Sequence, residues 1–227
     1  MAGSAPTAGS DSGNLSLKRM SEQGNPYTFL ALGDSYTAGE GVLPHERWCD
    51  QLAGLLRKDG VNITSPVVIA ETGWTTTDLL ANLDREPAKT KYSLVSMLIG
   101  VNNQYRGLPL DVFRKEFQEL LNWSAAVSEK GLGGIIVLSI PDWSVTPFAQ
   151  TEGRRGAGEE IDIYNRQLVE ICNRNKVRVV DITSLSRLAG EDGSFLAEDR
   201  LHYSPVMYQK WAESALPMAR GVIGGNP

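Results

Sequence analysis

The 227 residues are 41% hydrophobic, 22% charged and 7% aromatic, an ordinary soluble globular composition, and the length suits one core rather than several. A net charge of −5 carries no basic footprint for nucleic acid, and the longest apolar runs, such as Gly134–Ile140, fall far short of a membrane span. Two cysteines exclude a disulfide framework or cysteine metal cage, and two histidines, His45 and His202, exclude most histidine-rich metal sites and confine any histidine chemistry to one of two residues.

Residues 1–26 are small, polar and rich in Gly and Ser, without the apolar stretch of an intact signal peptide. They read as a flexible arm, a processed remnant or an expression scar, and the fold is expected within 27–227. The compartment is open: cytoplasmic, or secreted if a signal has been removed.

From Tyr27 onward strand-like and helix-like segments alternate. Tyr27–Leu32 reads as a buried strand ending at Gly33. Trp48, Leu52, Leu55 and Leu56 recur at helical spacing until Asp59-Gly60. Pro66–Ala70 is a second strand, Asp78–Leu83 a short helix ending before Pro87, and Leu94–Ile99 a third strand. Leu110, Phe113, Phe117, Leu120 and Leu121 mark a long amphipathic helix closing at Gly131. Ile135–Ile140 is strand four. Pro141–Gly158 reads as a long irregular stretch. Ile161, Tyr164, Leu168, Ile171 and Cys172 form another helical stripe, with Val177–Val180 as strand five. Ser204-Pro205 opens the last helix with an N-cap and a first-turn proline. Five strands, apolar on both faces and separated by helices, predict an α/β protein: a five-stranded parallel sheet in a three-layer α/β/α sandwich joined by right-handed crossovers. Ligands of such sheets bind beyond the carboxyl ends of the strands, so chemistry is sought in the loops there.

After strand one, Gly33-Asp34-Ser35-Tyr36-Thr37-Ala38-Gly39-Glu40-Gly41 surrounds a serine with glycines. Such a turn can expose the hydroxyl among backbone N–H groups, or be a plain Gly-rich loop. The Walker spacing and the Rossmann glycine run are absent. Gly73, after strand two, lets a backbone N–H approach a substrate oxygen, or is a turn residue. The Asn102 amide, after strand three, can donate to a developing oxyanion, or the Asn102-Asn103 pair forms a turn. Asp199 and His202, three apart after strand five, can face the same way, the carboxylate holding one imidazole nitrogen and leaving the other as a base; a surface turn is the alternative. All four loops lie at one predicted sheet edge. Together they hold the nucleophile, base, orienter and oxyanion donors that acyl transfer needs.

GDSYTAGEG, Gly73, GVNN and DRLH, in this order, resemble the four sequence blocks of the SGNH family of serine hydrolases, also called GDSL esterases and lipases, over about Tyr27 to Leu216. The resemblance implies a flavodoxin-like sandwich, no cofactor, and no metal. It implies Ser35 as nucleophile, His202 as base and Asp199 as its partner, with oxyanion donors from Ser35, Gly73 and Asn102. Asn103 departs from the pattern, standing where the family often has Asp. The larger α/β-hydrolases fit less well, because Thr37 occupies the second glycine of their Gly-x-Ser-x-Gly elbow.

Trp143, Val145 and Phe148, with Trp74, are candidates for an apolar substrate wall, with packing onto the sheet as the alternative for the first three. Arg154 and Arg155 read as a solvated loop tip or as contacts for an anionic substrate. His45 reads as a surface or helix-start residue, and Cys49 and Cys172 as buried free thiols. Of three Asn-x-Ser/Thr matches, at Asn14, Asn62 and Asn122, the last falls in a predicted helix, and chance accounts for such matches. The expected activity is hydrolysis of small soluble esters or of acetylated sugars, with no nucleic-acid or membrane-spanning partner. Acyl transfer to another alcohol, a non-enzymatic flavodoxin-like binding module and a catalytically dead relative are the alternatives. Oligomeric state is open.

Overall fold

The computed structural model describes residues 25–83, 90–154 and 156–224. Most of the N-terminal arm, the Asn14 match, the end of the helix before Pro87, and Arg155 lie outside the described residues.

Five strands form one parallel sheet: β1 (Phe29–Gly33), β2 (Val67–Ala70), β3 (Leu94–Leu98), β4 (Ile135–Leu138) and β5 (Arg178–Val180), in the order β2-β1-β3-β4-β5. This is the flavodoxin-like doubly wound order. β1, β3 and β4 are wholly buried, as their continuous apolar sequences require. The expectation of two buried faces fails for the edge strands: Val67 is 47% exposed and β5 is only partly buried. An edge strand has one neighbour fewer to cover its side chains.

Helix α1 (Ser35–Ala38) is a single turn. Helix α2 (Trp48–Lys58) packs against the last helix, α9 (Pro205–Gly224), on one face of the sheet. Helices α3 (Thr76–Leu83), α5 (Leu110–Val127) and α7 (Ala157–Arg174) lie side by side on the other. The step from β1 to β2 runs one way along the sheet through α2; the later steps run the other way through α3, α5 and α7. Helices must change face when the direction reverses if every crossover keeps one hand. In α5 the buried side chains Phe113, Phe117, Leu120, Leu121 and Ser124 follow the helical repeat.

Several details differ from expectation. Helix α5 ends at Val127, because Ser128 turns extended (φ −85°, ψ 140°); Gly131, with φ of 57°, only begins a separate 3₁₀ turn over Gly131–Gly134. The stretch from Pro141 is not irregular: a 3₁₀ turn (Trp143–Val145) leads into helix α6 (Pro147–Thr151), capped by the Thr146 hydroxyl. Ser204 does not cap α9 through its side chain; its Oγ is buried without a hydrogen-bond partner. Short helices α4 (Val101–Tyr105) and α8 (Thr183–Ser186) follow β3 and β5.

Register positions the site. Gly33 pairs with Ala70 on one side and Leu98 on the other, so β2, β1 and β3 end level. The loops that follow them therefore emerge side by side, with the reversal of strand order between β1 and β3.

Candidate active site

The chain leaves β1 into a tight turn. Asp34 caps α1, its Oδ1 accepting from the Tyr36 N–H at 3.1 Å. Ser35 is the first residue of that turn, where a backbone N–H has no intrahelical acceptor. Gly39 closes the helix in a left-handed conformation, donating to the Ser35 carbonyl at 2.9 Å. Asp34 itself is fully buried, and its Oδ2 has no partner. Burial pushes its pKa up to about 7, against the lowering effect of its backbone hydrogen bonds.

Gly73 follows β2 with φ of 84°, a conformation that favours glycine. Its carbonyl accepts from Arg106 Nη2 at 2.6 Å. Beyond β3, Gly100 has φ of 126°, and a Cβ there would come within 2.7 Å of Phe113 and 2.9 Å of Ile140. That glycine lets the chain pass over the core directly into α4, which carries Asn102. Asn102 Nδ2 donates to the Trp74 carbonyl at 2.9 Å. This uses one of two amide N–H groups and ties α4 to the Gly73 loop.

Asn103 turns the other way and is fully buried. Its Oδ1 accepts from the Thr76 N–H at 3.0 Å and its Nδ2 donates to Thr76 Oγ1 at 2.7 Å. The pair is thus divided between two tasks rather than forming a simple turn.

Asp199 and His202 sit on a hairpin-like loop closed by the Leu196–Tyr203 bridge and by the Ala197 N–H donating to the His202 carbonyl at 2.8 Å. Asp199 Oδ1 accepts from the N–H groups of Leu201 and His202, each at 2.9 Å. Arg200 between them takes φ of 60°. Asp199 Oδ2 lies 2.5 Å from His202 Nδ1. Partial burial opposes the Asp199 charge, but the hydrogen bonds from the His202 ring and from the two backbone N–H groups outweigh it and hold the carboxyl below its ordinary value. The His202 Nε2 is left facing away from that carboxylate, and the Tyr36 ring meets the imidazole edge-on at 5.7 Å.

Ser35, Gly73, Asn102 and His202 all line one cavity of about 180 Å³. No hydrogen bond joins Ser35 Oγ to the His202 ring; such contacts are often long in ligand-free sites. Tyr36, Thr72, Val101, Tyr105, Trp143, Phe148 and Leu201 complete the lining. Of the candidate wall residues, Trp143 and Phe148 are there, whereas Trp74 and Val145 are not. Trp74 contributes its carbonyl to Asn102, and Val145 packs against Gly190. Tyr36, Thr72, Val101 and Leu201 carry no sequence signal of their own beyond standing next to a motif residue, and Tyr105 lies one helical turn beyond Val101. Two wider grooves, of about 590 and 620 Å³, contain none of the candidate catalytic residues.

Arg154 is not a solvated tip. Its Nη1 donates to the Tyr105 carbonyl at 2.7 Å, and its guanidinium lies over the Tyr105 and Trp143 rings, 5.2 and 5.5 Å from their centroids. His45 lies exposed in a 3₁₀ turn and does not line the cavity. Cys49 and Cys172 are free and buried, and burial pushes both thiols up. Among the described residues no cluster of His, Cys, Asp and Glu could hold a metal ion, and no helix is long and apolar enough to cross a membrane.

Residues 31–210 match the model of the GDSL-like lipase/acylhydrolase family. Among solved structures, the chain is similar to a lipase/acylhydrolase from Enterococcus faecalis, with 21% identity, TM-score 0.68, and coverage of 86% of this chain and 96% of that one. It is similar to Axe2, an acetylxylan esterase from Geobacillus stearothermophilus, with 22% identity, TM-score 0.66, and coverage of 86% and 95%. It is also similar to the psychrotrophic esterase EstA from Pseudoalteromonas sp., with 16% identity, TM-score 0.68, and coverage of 87% and 99%. At these identities the likeness is one of fold. No curated protein is similar enough in sequence to match the chain.

Proposed function

The chain belongs to the GDSL-like lipase/acylhydrolase family, whose members are serine ester hydrolases, and from that premise we propose that it cleaves small or short-chain carboxylic esters through an acyl-enzyme. The observation that carries this reading is the convergence of Ser35, His202, Gly73 and Asn102 on one largely apolar cavity, with Asp199 behind the imidazole.

In this reading His202 Nε2 takes the Ser35 hydroxyl proton as Oγ attacks the ester carbonyl. The oxyanion is received by the N–H groups of Ser35 and Gly73 and by the free N–H of the Asn102 amide. His202 then protonates the departing alcohol, and water activated by the same imidazole releases the acid. Asp199 holds Nδ1 protonated and stabilises the imidazolium that forms. Its depressed pKa supports that task, because the carboxylate stays charged at neutral pH.

The cavity volume supports small substrates. About 180 Å³ is somewhat more than the roughly 150 Å³ that accommodates a benzene-sized group. A second reading, removal of acetyl groups from a carbohydrate, draws on the same volume and on the fold shared with an acetylxylan esterase. The test is a panel of chromogenic esters of graded acyl length, with acetylated xylo-oligosaccharides beside them. Wild-type protein is expected to turn over the short esters, and Ser35→Ala to lose turnover by on the order of 10³-fold or more. Equal turnover by the two purified proteins would refute the assignment.

A further inference from the structure

We propose that Arg154, which does not itself line the cavity, clamps the aromatic side of it from behind and so sets the upper size of the acyl group that this site accepts; the inference rests on the esterase reading above. Two stretches distant in sequence, Gln104–Tyr105 and Trp143–Glu160, build the clamp. The wall is made by Tyr105 and Trp143, whose rings meet edge-on at 5.3 Å, with Phe148 6.2 Å from Trp143. Trp143 is held in its rotamer by its indole N–H, which donates to Gln104 Oε1 at 2.9 Å. Gln104 is buried, and its Nε2 donates to Glu160 Oε2 at 2.7 Å. The same Glu160 oxygen lies 3.8 Å from Arg154 Nη2. The guanidinium returns over both aromatic rings and donates to the Tyr105 carbonyl. The chain of contacts from Trp143 through Gln104 and Glu160 to Arg154 therefore closes on Trp143 again.

A closed ring of contacts resists deformation better than separate ones. Swinging Trp143 outward would take its indole N–H from its only acceptor in a buried setting. Swinging the Tyr105 ring away would separate it from a guanidinium that the Tyr105 backbone carbonyl holds in place. An acyl chain that extends along this wall gains room by displacing one of these rings, and Arg154, packed against both, opposes that displacement. Only a planar guanidinium can face two rings, donate to a carbonyl and pair by charge with a carboxylate together. The same engagements leave it little capacity for an anionic substrate.

Arg154→Ala, Arg154→Lys and Glu160→Gln are compared with wild type on p-nitrophenyl esters from acetate to decanoate. In Arg154→Ala the ratio of kcat/KM on decanoate to that on acetate is expected to rise about tenfold, mainly through a lower KM for the long ester, with kcat on acetate within about twofold of wild type. Arg154→Lys should resemble Arg154→Ala. Glu160→Gln, which weakens the ring without removing the stack, should shift the profile the same way by a smaller factor, and it keeps the test open if Arg154→Ala folds poorly. An unchanged chain-length profile in the folded variants, or an equal loss on every ester, overturns the proposal. A wild-type protein inactive on the whole panel, or a Ser35→Ala protein as active as wild type, overturns the esterase reading instead.

Discussion

The residue beside the candidate nucleophile behaves unlike an ordinary aspartate. Asp34 is fully buried, one of its oxygens is unpartnered, and its pKa is raised from 3.8 to about 7. The phenols of Tyr36 and Tyr208, also pushed up by burial, stay neutral around it. Because the folded chain holds this proton more tightly than the unfolded chain, the contribution of Asp34 to stability is full below about pH 4 and is lost as pH rises through about 7. The loss is on the order of 4 kcal/mol if the site does not relax. Asp34→Asn removes the titration while keeping the shape. Urea midpoints measured from pH 4.5 to 8 should fall less for Asp34→Asn than for wild type; parallel curves would mean that the native site holds the charge without penalty. Nothing in the tripeptide Gly33-Asp34-Ser35 disclosed this. The motif marks the serine, but whether its neighbour meets water depends on Tyr36, Tyr208 and the helix that carries Tyr208.

At the scale of elements, periodicity located the strands and the long helices to within a few residues, because a buried face imposes its spacing on the chain. It failed where short-range chemistry decides. Helix α5 stops at Val127 although Gly131 was the visible breaker, and Ser204 offers a capping residue whose hydroxyl does not cap. The last helix also runs through Pro217, which is exposed and lacks the N–H that the helix needs there. Tertiary burial of Trp211, Ala212, Ala215, Ala219 and Val222 holds the helix together across that gap. Pro217→Ala should restore the missing hydrogen bond and stabilise the protein by about 1–3 kcal/mol, read as a higher denaturant midpoint at unchanged m-value. An unchanged or lower midpoint would show that the helix is built around the proline.

Across the whole molecule, one ion pair fastens the segment after β4 to the segment after β5. Asp142 is buried and accepts from Arg187 Nε at 2.9 Å, while Arg187 Nη2 donates to Asp162 in α7 at 2.7 Å. The carboxylate also accepts from Ser144 in the turn that presents Trp143 to the cavity. Replacing Arg187 leaves a buried charge with hydroxyl and amide partners only. Arg187→Met is therefore expected to cost about 2–4 kcal/mol, seen as a lower thermal midpoint, with Asp142→Asn in the same chain recovering part of the loss. A neutral Arg187→Met change would mean that solvent already screens the pair.

The chain by itself determined the class of fold and the identity of the candidate catalytic groups. Alternating apolar segments leave few arrangements other than a covered parallel sheet, and Ser35, Gly73, Asn102, Asp199 and His202 each lie in a loop that such a sheet collects at one edge. What only the tertiary structure decided is what those groups face. Trp143 and Phe148 enter the cavity while Val145 and Trp74 do not, and Arg154 serves the wall rather than the solvent. Backbone periodicity places a residue on an element. The direction of a side chain from a turn, and the partner it finds, depend on contacts between segments that no local spacing records, and here those contacts bring Tyr105, Trp143, Arg154 and Glu160 together.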